Sequence, residues 1–146
     1  MDRKQKFYDA IKNDMTTLLA TAAGDSVTMR LIGPVLYGDG VLLFTDAGSR
    51  KYRQLQANPH CCLMAGGYFA EATAAFPGAT MREENAPLRE AYCEKFPGAF
   101  DEGVEFGGRD CDFVLLTPTK LTGWDFVNDI PTADGVPTVP FAIDLP

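Results

Sequence analysis

The stretch Val41–Pro59, VLLFTDAGSRKYRQLQANP, constrains this chain more tightly than any other. It opens with Val41-Leu42-Leu43-Phe44-Thr45, a short β-favouring apolar run of the kind that forms a buried strand. Asp46-Ala47-Gly48-Ser49 is turn chemistry. Arg50–Ala57 then reads as a helix capped by Ser49, with Tyr52 and Leu55 on one face and Asn58-Pro59 as its stop. A strand that turns directly into a helix leaves free backbone N–H groups and partial positive charge at the turn, which suits an anion. Ser49 adds a hydroxyl there. Arg50 and Lys51 add two cations at the end of the helix where the macrodipole favours acids, a conflict that a bound anion removes. Without an anion, the two are solvated surface charges.

A third cation bears on that choice. In Ser26–Tyr37, SVTMRLIGPVLY, Val27, Met29 and Leu31 alternate with Thr28, Arg30 and Ile32, so a strand turns Arg30 away from the Val27/Met29/Leu31 face. A charge among apolar strand residues is costly to bury unpaired. Arg30 therefore reaches solvent or meets an anion such as the one expected at Ser49–Lys51.

The order of elements, a helix followed by LLATAAG, TMRLIGPV, VLLFTDAGSRK and QLQANP, resembles the FMN-binding split-barrel family that includes pyridoxamine 5′-phosphate oxidase. The resemblance covers Met15 to Ala75 well and Thr117–Phe126 more weakly. It implies that Arg30, Ser49, Arg50 and Lys51 hold the phosphate of FMN, and that Leu31, Ile32, Phe44 and Thr45 line the flavin. Alignment from Ser49-Arg50-Lys51 sets Thr73 where the oxidases have a flavin-contacting glutamine. Trp124, six residues after Pro118, stands where they carry a tryptophan beside the flavin; read without the alignment, a lone tryptophan is core. One departure is clear: the oxidases follow that tryptophan with a basic segment that grips the substrate phosphate, and this chain has Asn128-Asp129-Ile130-Pro131-Thr132. A true vitamin B6 oxidase is not expected. The resemblance also implies a homodimer with two cofactor sites at the interface.

Composition narrows the partners. Thirteen basic against 20 acidic residues give a net charge of −7, which repels nucleic-acid and membrane phosphates. No apolar run approaches the roughly 20 residues that span a bilayer, and the first residues, MDRKQKFYDA, do not read as a signal peptide, so a cytoplasmic protein without nucleic-acid or membrane partners is expected. At 146 residues one domain is expected. Cys61 and Cys62 are adjacent, Cys93 and Cys111 stand alone, and the set reads as reduced thiols with no metal site.

Along the chain, Asp2–Met15 reads as an amphipathic helix, Thr16–Ala22 as a strand, and Ser26–Tyr37 as a second strand with an irregularity at Gly33-Pro34. With Val41–Thr45 these form an expected antiparallel meander. His60–Gly67 and Tyr68–Phe76 are further strands, with a break at Pro77-Gly78. Glu83–Phe96 is a helix with Leu88, Ala91, Tyr92 and Phe96 inward. Phe96–Gly108 is a long glycine-rich connection whose Phe100 and Phe106 either anchor it or close over a ligand. Asp112–Thr117 and Lys120–Val127 are the last strands, broken at Pro118, and Asp134–Pro146 is a strap on the fold or on a second subunit. The fold class expected is mainly β with helices, α+β: an antiparallel split barrel under two or three helices.

Three functions compete. An FMN-dependent oxidoreductase acting on a small-molecule substrate or electron donor leads, with the flavin supplying the redox chemistry and no protein acid or base assigned. A non-catalytic flavin carrier or redox sensor is the second. The third is a haem-binding split barrel, for which His60 is the only histidine available as a ligand. A phosphate cradle does not identify its ring, so a deazaflavin also fits.

Overall fold

The computed structural model describes residues 2–126 and 138–146. Helix α1 (Arg3–Asn13) begins where the Asp2 side chain accepts a hydrogen bond from the Gln5 N–H at 2.7 Å, and it buries Phe7 and Ile11, one turn apart. Strands β1 (Thr17–Ala23) and β2 (Ser26–Ile32) form a hairpin across Gly24, whose φ of +56° suits a residue without a side chain. After β3 (Val35–Tyr37), β4 (Gly40–Thr45), α2 (Arg50–Ala57) and β5 (His60–Ala65) come β6 (Tyr68–Ala79), α3 (Ala86–Lys95), β7 (Asp112–Phe126) and β8 (Thr138–Asp144).

All strand pairs are antiparallel, in the order β2-β1-β5-β6-β7-β4-β3, with β8 added to β7. The expected three-strand meander does not form. β2 and β3 lie at opposite ends of this order although only Gly33-Pro34 separates them, so the sheet curls round until its two ends meet at that corner. Pro34, which has no N–H to donate, occupies the point where no ladder is needed. Helix α2 follows β4 at one end of the order and packs on β1 near the other, so it bridges this seam.

Two apolar clusters hold the sheet. Leu19, Ile32, Val41, Leu43, Leu55, Leu63, Val114, Leu116 and Leu121 fill one; Val35, Leu42, Leu88, Tyr92, Phe100 and Phe113 form the other against α3. Val41 and Leu43 enter the first and Leu42 the second, so β4 is covered on both faces, which is why it reads as an unbroken apolar run. Lys95, at the end of α3, donates to the carbonyls of Ile11 (2.8 Å), Asp14 and Pro34 (2.7 Å), tying two helices to the corner.

Several expected breaks are not breaks. β6 runs through Pro77-Gly78 to Ala79 and β7 runs through Pro118, each with a register shift, between Ala75 and Gly78 and between Glu71 and Ala72. A bulge absorbs the missing donor and the strand continues. The expected strap is in its described part a strand, β8, and the helix expected from Glu83 is a 3-10 turn (Glu83–Asn85) leading into α3. Val127, Asn128–Thr132 and the start of the strap at Asp134 lie outside the described residues. Among the described residues no helix is long and apolar enough to cross a membrane.

The pleat of β2 is the reverse of what a soluble edge strand ordinarily shows. Val27, Met29 and Leu31 face outward, 74%, 65% and 62% exposed, while Thr28 and Arg30 turn toward α2 and Ile32 enters the core. Strand pairing sets Leu18 and Ala20 of β1, Met64 of β5 and Phe69 of β6 on the same outward face. The result is an exposed apolar sheet surface.

Candidate functional site

The α2 N-terminus is built by its own turn. The Asp46 carboxylate accepts from the Gly48 N–H at 2.7 Å, the Ser49 N–H donates to the Asp46 carbonyl at 2.9 Å, and Ser49 Oγ accepts from the Tyr52 N–H at 3.2 Å. Lys51 folds back so that Nζ donates to Thr45 Oγ1 at 2.8 Å, and Thr45 Oγ1 lies 3.1 Å from Ser49 Oγ. The end of β4 and the start of α2 are thereby one polar unit.

Arg30 faces that unit. One Nη donates to the Leu19 carbonyl (3.0 Å) and Thr21 Oγ1 (2.8 Å), the other to Thr28 Oγ1. Thr28, Met29, Arg30, Ser49, Arg50 and Lys51 line one open cleft of about 460 Å³. Among the described residues the ion pairs are Arg3–Asp125, Arg82–Glu84 and Arg109–Glu102, so none of the three cleft cations has a carboxylate partner. Burial, and then the charge of Arg50, hold the Arg30 guanidinium below its ordinary pKa. Burial, followed by the charge of Arg30, lowers Lys51, against smaller opposing effects of Cys111 and Asp46. A helix N-terminus where Arg50 lowers Arg30 and Arg30 lowers Lys51 is a site that an anion relaxes.

Arg30, Ser49, Arg50 and Lys51 are thus brought together, and Thr45 joins them through Lys51 and Ser49. Phe44 and Ile32 instead send their side chains into the two apolar clusters, and the Leu31 side chain is on the outward face. Thr73, opposite His60 in the β5–β6 ladder, and Trp124, 54% exposed, do not line the cleft of their own chain. Both lie on the outward apolar face, where Phe69 pairs with Thr122 two residues before Trp124. Trp124 also edges a larger cleft, about 760 Å³, between α1 and β7. Its central charges are paired: Arg3 Nε donates to Asp125 at 2.6 Å and stacks over Phe141, and the Tyr68 hydroxyl donates to Asp125 at 3.0 Å, while Lys4 and Lys6 also line this cleft. The smaller cleft differs in bringing three cations to a helix N-terminus with no acidic residue in its lining.

Reading the sequence alone misses three residues of this site, Thr21, Thr28 and Gln54. Thr28 precedes Arg30 by two and so shares its strand face; Gln54 is a polar residue beside Leu55 on the inward side of α2. Neither pattern distinguishes itself until β1 and β2 are paired.

No family model matches the chain, and no curated protein matches it by sequence. Among solved structures it is similar to a putative pyridoxamine 5′-phosphate oxidase from Listeria innocua, with a TM-score of 0.62, 16% identity, and coverage of 82% of this chain and 96% of that one. The haem storage protein HutZ from Vibrio cholerae gives 0.64 at 16% identity over 81% and 91%. An FAD-binding protein from Mesorhizobium loti gives 0.62 at 10% over 83% and 92%. The fold is the split β-barrel that these proteins share. In this split barrel the cleft sits at the seam, with β2 as one wall and the start of α2 as the other.

Proposed function

We propose that the protein is an FMN-binding flavoprotein and an FMN-dependent oxidoreductase that works as a homodimer. One observation carries the proposal: Arg30, Arg50 and Lys51, with the Ser49 hydroxyl, converge on a cleft at a helix N-terminus without a carboxylate among them. A phosphate monoester fits that donor set, because it carries up to two charges and accepts several hydrogen bonds at once. In this reading Arg30, Ser49, Arg50 and Lys51 hold the phosphate, and Thr45 keeps Lys51 aimed at it. The bound flavin supplies reversible hydride and electron transfer, while the chain binds and orients it.

The apolar outward face supports the homodimer. A contiguous exposed surface of Val27, Met29, Leu31, Met64, Phe69 and Trp124 is the kind that another protein surface covers. Met29 belongs to both this face and the cleft, so a second copy seated there adjoins the cofactor and brings its own Thr73 and Trp124 toward the ring.

The test is the visible spectrum of the purified protein, followed by titration with FMN and identification of the group that heat releases. Flavin absorption and quenched FMN fluorescence are expected. A Soret band identifies haem instead, the reading that the likeness to HutZ and the exposed His60 on the outward face would favour. Steady-state oxidation of NAD(P)H with an added acceptor separates an enzyme from a flavin carrier or sensor.

A further inference from the structure

Gln54 is 6% exposed and sits one turn into α2, behind the cleft rather than in it. Its Oε1 accepts from two hydroxyls, Thr21 Oγ1 and Thr28 Oγ1, each at 2.6 Å, and its Nε2 donates to Ser26 Oγ at 3.2 Å and the Ser26 carbonyl at 3.4 Å. The Ser26 carbonyl can only accept, so the amide is locked with nitrogen toward β2's first residue and oxygen toward the threonines. Each threonine hydroxyl has one proton, and both protons are committed to Gln54. Their lone pairs are therefore left facing Arg30, whose two Nη groups donate to them.

We propose that Gln54 is the positioning residue of the anion cradle: by setting the polarity of Thr21 and Thr28 it holds the Arg30 guanidinium on β2 at a fixed place relative to the α2 N-terminus, and so sets the cradle's preference for a phosphate-bearing ligand. This rests on the flavin-phosphate reading above. Hydrophobic substitution at 54 removes the acceptor for both hydroxyl protons, so the two hydroxyls are no longer held in one orientation and Arg30 is fixed less firmly by them. A glutamate at 54 still accepts from the threonines, but it faces the Ser26 carbonyl and brings a carboxylate under Arg30 that competes with the ligand.

The experiment compares FMN with riboflavin, which differ only in the phosphate, by fluorescence titration of the native chain, Gln54→Leu and Gln54→Glu. The native chain is expected to prefer FMN. Gln54→Leu is expected to narrow that preference about tenfold, the scale of one charge-assisted hydrogen bond, with riboflavin affinity unchanged. Gln54→Glu is expected to narrow it further. An unchanged preference in folded Gln54→Leu overturns the proposal, and so does equal loss for both flavins, because that is what a general loosening of α2 would produce. If Gln54→Leu does not fold, Thr28→Val removes one of the two threonine acceptors of Arg30 and must give the same narrowing. A native chain that binds neither flavin defeats the flavin reading instead, and the positioning role is then read with inorganic pyrophosphate as the probe.

Discussion

Arg30 and Lys51 each lose hydration on folding and gain a cation as neighbour, which is the reverse of how proteins ordinarily accommodate a charge. Removing Arg30 deletes the one cation that β2 supplies: Arg30→Ala is expected to weaken FMN by about 2 kcal/mol, roughly thirtyfold in Kd, with riboflavin little affected. Lys51 supplies a pH signature. Its pKa in the free protein lies below the ordinary 10.5, and a bound phosphate raises it, so binding takes up a proton. FMN affinity is therefore expected to fall as pH rises through the free protein's Lys51 pKa toward 10.5. The ligand-free fold gains stability over the same window, since the unfolded chain there binds more protons. Isothermal titration in buffers of different ionisation enthalpy reads the uptake, and Lys51→Met should abolish it. Ser49-Arg50-Lys51 and Arg30 were legible in the sequence because a contiguous turn and an alternating strand each declare their own geometry. Gln54 and Thr21 were not, because their role exists only when β1, β2 and α2 meet. Phe100 and Phe106 show a similar limit: the first is buried, the second 91% exposed at φ +59°, and nothing local separates them.

Helix α2 is the element through which the site is assembled, and its first turn serves both the fold and the ligand. Ser49→Ala removes the N-cap and the hydroxyl beside Thr45, and is expected to cost about 1 kcal/mol of unfolding free energy by urea denaturation, as well as FMN affinity. The same helix is fastened to β7 by the Tyr52 hydroxyl, which donates to Asp112 at 2.8 Å. Burial, then this hydrogen bond, pushes Tyr52 up to about 12 from 10.0. Because the folded value is the higher one, the stability it contributes is complete below pH 10 and is lost between pH 10 and 12. Thermal melts across that range should show a steep decline that Tyr52→Phe makes shallower. Elements of this size were mostly readable: α2 has the bounds that its cap and its Asn58-Pro59 stop announce. The failures were proline positions. Pro77 and Pro118 looked like strand ends, yet an antiparallel ladder can step its register past a missing donor.

At the scale of the molecule, the outward sheet face carries the clearest expectation. Val27→Glu or Phe69→Glu places a charge on an apolar surface without touching the cradle, and is expected to halve the sedimenting mass and, with the partner's contribution lost, to weaken FMN as well. Unchanged mass would remove the homodimer from the proposal. Topology was the least readable level. Three strands in succession with short turns suggested neighbours in series, but β2 and β3 part company at Gly33-Pro34 and finish on either side of the seam, a decision made by non-local pairing. That arrangement has a further result. The two jaws of the cradle come from opposite margins of the sheet and are latched by a helix reaching over the gap, so a chain that has not finished closing has no jaws to offer. Capture of the ligand is then a report on completed folding, and a loaded molecule should resist reopening along that join before it resists it anywhere else.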